Sequence, residues 1–189
     1  DITEEILYLL KLKGVNRLSI GIQSFNETNL TFLNRQHTFL EAKEKMALIR
    51  RLGFENVNID LMYALPTEDL SVLKKDLTLL LELEPNHIST YSLMIEPHTM
   101  LFKQNVKPIS EDVDALMYKT IIKMLEKKGY HHYEVSNFAK NKAVVSPSRV
   151  GLVAIMTSLI SSLSLSKRVL IFKSSIVFPS IIDIVPCKT

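Results

Sequence analysis

The chain has 189 residues, 47% of them hydrophobic and 23% charged, enough for one domain with a buried core. Its net charge of +3 is spread evenly, which excludes the basic stripe of a nucleic-acid binder. A single cysteine, Cys187, excludes an internal disulfide framework and any zinc or iron–sulfur site made from the chain's own thiolates.

Taken in chain order, the start Asp1-Ile2-Thr3-Glu4-Glu5 is acidic and lacks the basic and apolar stretches of a signal peptide, so a cytoplasmic location is expected. Thr3 to Lys13 predicts a helix, with acids at its head, lysines at its tail and Gly14 as its stop. Arg17 to Phe25 (RLSIGIQSF) is short and alternating, a strand. Thr38 to Leu52 places Phe39, Ala42, Met46 and Ile49 on one helical face and ends at Gly53. Asn56 to Tyr63 is a second strand, closed by Ala64-Leu65-Pro66. Asp69 to Leu83 is a helix with Leu70, Leu73, Leu77 and Leu80 as its apolar stripe. His87 to Ile95 is a third strand. Glu111 to Lys128 is a helix burying Val113, Leu116, Met117, Ile121 and Met124, and after Gly129 the segment Tyr130 to Val135 forms a last strand.

Strands joined through single amphipathic helices need crossover connections, so a parallel sheet is expected, either part of a (β/α) barrel or an open α/β sheet. In both, ligands sit at the carboxyl ends of the strands. The pattern ends at Lys140. Residues 141–189 are rich in Ser, Ile, Val and Leu, with Asp183 as their one acid, and no helical or alternating period persists. Val150 to Ser166 is uncharged but serine-rich, and shorter than the roughly 20 apolar residues of a membrane helix. The expected division is therefore a core at 1–140 and an unrelated tail at 141–189, of the composition a frameshift or disordered segment would give.

Near the outgoing ends of the strands stand Gln23 and Ser24, then Asp60, then Tyr91 and Ser92, followed by Met94 and Glu96. A carboxylate within an apolar strand is costly to bury unless it is hydrogen-bonded or paired. Asp60 is thus either a structural residue satisfied by its neighbours or an acceptor for a ligand. Arg35 follows the first strand and can grip a carboxylate in bidentate fashion, or lie on a surface helix. His131 and His132 point to opposite faces of a strand and do not ligate together. His37, His87 and His98 lack metal-ligand spacing. Chemistry alone reads as an α/β ligand-binding domain.

Four segments in order add to this: Gly14–His37 (GVNRLSIGIQSFNETNLTFLNRQH), Gly53–Pro66 (GFENVNIDLMYALP), His87–Thr99 (HISTYSLMIEPHT) and Gly129–Lys140 (GYHHYEVSNFAK). Together they resemble the radical S-adenosylmethionine (radical-SAM) proteins of the oxygen-independent coproporphyrinogen III oxidase family (HemN/HemW), nearest its heme-chaperone branch. The resemblance spans about 1–140. It implies an incomplete parallel (β/α) barrel with S-adenosylmethionine across the strand ends, contacted by Gln23, Arg35, Asp60 and Met94, the last through its backbone. It further implies a [4Fe–4S] cluster in intact relatives, heme as cargo, heme-accepting proteins as partners, and no membrane contact except through the tail. The family's Cys-x3-Cys-x2-Cys loop and Gly-Gly-Thr-Pro segment fall upstream of Asp1, so the resemblance implies a fragment, inactive by itself. The alternatives are a fragment of the oxidase, acting on coproporphyrinogen propionates, or a cluster-free small-molecule-binding α/β module.

Overall fold

The computed structural model describes residues 2–66 and 68–140, together with the backbone of two further strands at 152–156 and 169–173. Helix α1 (Glu4–Leu12) starts where Thr3 Oγ1 accepts from the Ile6 amide at 3.3 Å, with Glu4 and Glu5 in its first turn and Lys11 in its last. It ends before Gly14, whose φ of +77° continues the chain where a side chain would be strained. Strand β1 (Val15–Gln23) follows.

The short helix α2 (Glu27–Phe32) is capped by Asn26, and α3 (Phe39–Arg51) opens with a reciprocal cap between Thr38 and Glu41. Then come β2 (Asn56–Tyr63), α4 (Leu70–Glu82, capped by Asp69) and β3 (His87–Ser92). The single turn α5 (Met100–Lys103) precedes α6 (Glu111–Lys127), and the chain re-enters the sheet as β4 (Tyr130–Glu134) and β5 (Asn137–Lys140).

The expected parallel order holds for β1, β2 and β3, each joined to the next through a helix. One correction concerns the far edge. Only Val135 and Ser136 separate β4 from β5, so that pair is an antiparallel hairpin. Strand β5 inserts between β4 and β3, pairing antiparallel with both. The helix α6 still performs its crossover, because β4 runs parallel to β3 one strand farther out.

At the opposite edge β6 (Leu152–Met156) runs parallel to β1, and β7 (Val169–Lys173) pairs antiparallel with β6. The described strands run in the order β4-β5-β3-β2-β1-β6-β7, and among them no pairing joins β4 to β7, so the sheet is open. This is the incomplete barrel expected from the resemblance. The reading of 141–189 as an unrelated tail falls for the most part outside the described residues.

One face of the sheet makes the core. Leu18, Ile20 and Ile22 of β1, Val57, Ile59 and Leu61 of β2 and Ile88 of β3 are buried in one cluster with α1 (Leu7, Leu10), α3 (Met46, Ile49), α4 (Leu73, Leu77, Leu80) and α6 (Met117, Ile121, Leu125). Each such side chain contributes about 1.5–3 kcal/mol on burial. With the helices committed to that face, the alternate residues of each strand are displayed on the other.

Candidate functional site

The alternate residues are polar: Arg17 and Ser19 on β1, Asn58 and Asp60 on β2, and His87, Ser89 and Tyr91 on β3. Strand register sets them in rows. Ser19, Asn58 and His87 lie side by side, and the next row is Gly21, Asp60 and Ser89.

Hydrogen bonds knit the rows together. Asn58 Nδ2 donates to Asp60 Oδ1 at 2.7 Å and to Ser19 Oγ at 2.8 Å, and Ser19 Oγ donates to Asp60 Oδ2 at 3.3 Å. Asn58 Oδ1 accepts from Ser89 Oγ at 3.2 Å and lies 2.6 Å from His87 Nδ1. His87 Nε2 lies 2.6 Å from the Tyr133 hydroxyl on β4. Burial pushes the Asp60 carboxyl above its ordinary range, while hydrogen bonds from Asn58, Ser19 and Ser89 and the charge of Arg17 pull it back. Burial, helped by the Arg17 charge, drives the His87 imidazole down to about 3, so the ring is neutral.

Arg35 reaches this face from outside the sheet. Helix α2 closes with Asn34 in the left-handed region (φ 52°), the Asn34 amide donating to Thr31 O at 3.1 Å and the Arg35 amide to Leu30 O at 2.8 Å. That turn carries Arg35 back over β1, where Nη1 donates to Gly21 O at 3.4 Å. Gly21 stands opposite Asp60 in the strand pairing. Burial lowers the Arg35 guanidinium and the Asp60 charge raises it, so the two groups act on each other.

Gln23 ends β1 just past a register shift, with φ 72°, a left-handed value unusual for a residue with a side chain. Its Oε1 is buried with no hydrogen-bond partner among the described residues. Met94 is the fourth expected site residue. It lies beyond the end of β3 with its side chain 75% exposed, although the preceding Leu93 amide is tied to Tyr63 O at 2.9 Å.

Two of the residues placed at the strand ends from sequence belong to the opposite face. Ser24 Oγ donates to the Asp76 carboxylate on α4, and Ser92 Oγ donates to Asp114 Oδ2 on α6 at 2.8 Å. Period-two alternation already separates Ser24 from Gln23 and Ser92 from Tyr91. His131 and His132 are apart as expected: His132 stacks on Phe138 at 4.5 Å between ring centroids and approaches Tyr118, while His131 is exposed. Among the described residues no group of three or more His, Cys, Asp and Glu side chains could hold a metal ion. Sequence reasoning missed Arg17, Asn58, His87, Ser89 and Tyr133 as parts of the site. The signal available for the strand residues was the same alternation, continued along each strand.

Residues 1–80 match the model of the Radical SAM superfamily. The chain is 39% identical over 142 residues to "Heme chaperone HemW" of Lactococcus lactis subsp. lactis, covering 73% of the chain and 38% of that relative. It is 44% identical over 137 residues to "Radical S-adenosyl methionine domain-containing protein 1, mitochondrial" of Danio rerio, covering 70% of the chain and 31% of that relative. Among solved structures, coproporphyrinogen III oxidase (HemN) from Escherichia coli, described as a radical-SAM enzyme, matches with a TM-score of 0.70 at 23% identity, over 83% of this chain and 40% of that one. That likeness is one of fold. The matched stretch spans about a third of the curated relatives' own length.

Proposed function

We propose, on the premise that this chain is a homologue of the radical-SAM heme chaperones, that its polar sheet face binds S-adenosylmethionine within a protein that passes heme to acceptor proteins. What supports the reading is the Asp60 carboxylate on this face with the Arg35 guanidinium within its field, together with the buried Gln23 amide oxygen at the end of β1, which lacks a partner among the described residues. These suit the parts of S-adenosylmethionine. Arg35 would grip the amino-acid carboxylate. Asp60, already held by donors on its strand side, would accept from hydroxyl groups of the ribose. Gln23 would hydrogen-bond through its amide, and the backbone beside Met94 would close the ligand's other side.

The residues present do not fit a [4Fe–4S] cluster, since the sequence has one cysteine and a cluster needs several thiolates. The role proposed for this chain's own residues is therefore binding and orientation. Identity of 39% over 142 residues to a protein named a heme chaperone supports the chaperone branch. A cytoplasmic setting goes with this reading, and no helix among the described residues is long and apolar enough to cross a membrane.

Calorimetric titration of the full chain with S-adenosylmethionine tests the proposal. The unaltered chain is expected to bind, and Asp60→Asn and Arg35→Met are each expected to weaken binding about tenfold, the scale of one lost hydrogen bond to a charged group. No binding by the unaltered chain, or equal binding by all three, overturns it.

A further inference from the structure

We infer that Tyr133 and His87 are positioning residues for Asp60, joined to it by a one-way chain of hydrogen bonds that runs from the β4–β5 hairpin to the second strand. The direction of each link follows from the one before. An ionised Asp60 only accepts, so the group 2.7 Å from its Oδ1 must be the amide nitrogen of Asn58. The Asn58 oxygen then faces His87, and because an amide oxygen cannot donate, the proton of the imidazole sits on Nδ1, 2.6 Å away. A neutral ring carries one N–H, so Nε2 is bare and accepts from the Tyr133 hydroxyl at 2.6 Å. The two rings meet edge to face with centroids 5.7 Å apart, which fixes the imidazole plane as well.

The chain has a consequence at its far end. Asn58 and Ser19 each donate to one oxygen of Asp60, and Ser89 adds to them, holding the carboxylate plane against the strands. If the terminal donor is lost, Nε2 has no partner in the chain and the imidazole is held from one side only, so the Nδ1–H bond to Asn58, and through it the Asn58 donation to Asp60, weakens. A hydroxyl on a hairpin outside the parallel part of the sheet would thus govern the acceptor on β2.

The ligand part of this inference rests on the binding role proposed above, so the test has a readout independent of ligand. In the full chain, nitrogen NMR of the histidines reports which ring nitrogen of His87 is protonated, and carbon NMR of the aspartates follows the titration of Asp60. The expected results are an Nδ1–H tautomer in the unaltered chain and, in Tyr133→Phe, Asp60 titrating at higher pH. Arg17, Arg35 and Tyr91 also act on Asp60 and are unchanged in that variant. His87→Gln can donate to Asn58 and is expected to keep the Asp60 titration nearer the unaltered value than His87→Leu. In titrations with S-adenosylmethionine, Tyr133→Phe should bind about tenfold more weakly. An Nε2–H tautomer in the unaltered chain, or an Asp60 titration untouched by Tyr133→Phe, overturns the inference. An intact Nδ1–H tautomer and a shifted Asp60, in a chain that binds no S-adenosylmethionine, support the chain of bonds and refute the binding role.

Discussion

Replacing Glu68 with glutamine should remove one stability contribution that falls away between weakly acidic and neutral pH. Glu68 lies in the loop between β2 and α4 and is only 7% exposed. Its Oε2 accepts from the Leu65 amide at 3.3 Å, while its Oε1 has no partner among the described residues. Burial raises its carboxyl from 4.5 to about 7, with the charges of Asp76 and Asp69 adding to the rise and the Leu65 and Ala64 amides opposing it. Between those values the folded chain holds a proton that the unfolded chain has released. The associated stability is complete below about 4.5 and is lost as the pH climbs through about 7. That interval, at about 1.4 kcal/mol per pH unit, comes to about 3 kcal/mol. Urea unfolding of the full chain at pH 5, 6, 7 and 8 measures it. The Glu68 contribution is the difference between the two proteins: relative to the unaltered chain, Glu68→Gln should be spared a loss of up to about that amount across the series. The slopes of both also carry Asp76, which burial pushes up, and the opposite contribution of His87 and His37, which burial keeps neutral and which gain stability as the pH rises toward 6.5. Identical slopes for the two proteins would refute the argument.

Two further outcomes follow from packing and backbone. Ala64 ends the second strand with φ 63°, where its methyl group crowds the backbone, so Ala64→Gly should raise stability by about 0.5–1 kcal/mol in a thermal melt. A loss instead would mean that the buried methyl contributes more than the strain costs. Tyr130 is buried and donates from its hydroxyl to Pro85 O at 2.6 Å, so Tyr130→Phe should cost about 1–3 kcal/mol by leaving that carbonyl unpaired, and unchanged urea unfolding would contradict this.

The long elements were legible because independent signals agreed. In α3, the stripe Ala42, Met46 and Ile49 coincides with the Thr38–Glu41 cap, and in α4 the leucine stripe coincides with Asp69. The six-residue α2 is too short to show a period, and only its flanking Asn26 and Asn34 betray it. The hairpin at Val135-Ser136 was not legible because α6 alone implied one more parallel strand, and nothing local says that the next segment turns back into the gap. The site divides in the same way. Asp60 and Arg35 stand out because each is a charge in a place that needs a reason. His87 does not stand out in the sequence, since its partners Asn58 and Tyr133 are 29 and 46 residues away and meet it only through strand register. Ser24 and Ser92 were misplaced for want of strict alternation, which depends on the residue and not on the tertiary fold.

The account rests on the polar face of the sheet as the seat of the ligand, and a crystal structure of the full chain grown with S-adenosylmethionine tests that directly. The expected density lies at the outgoing ends of β1 and β2, with the ligand's carboxylate on Arg35 and an oxygen of Asp60 within hydrogen-bond distance of a ribose hydroxyl. Ligand density elsewhere on the molecule, or an Asp60 carboxylate bonded only to protein groups at saturating ligand, would contradict it.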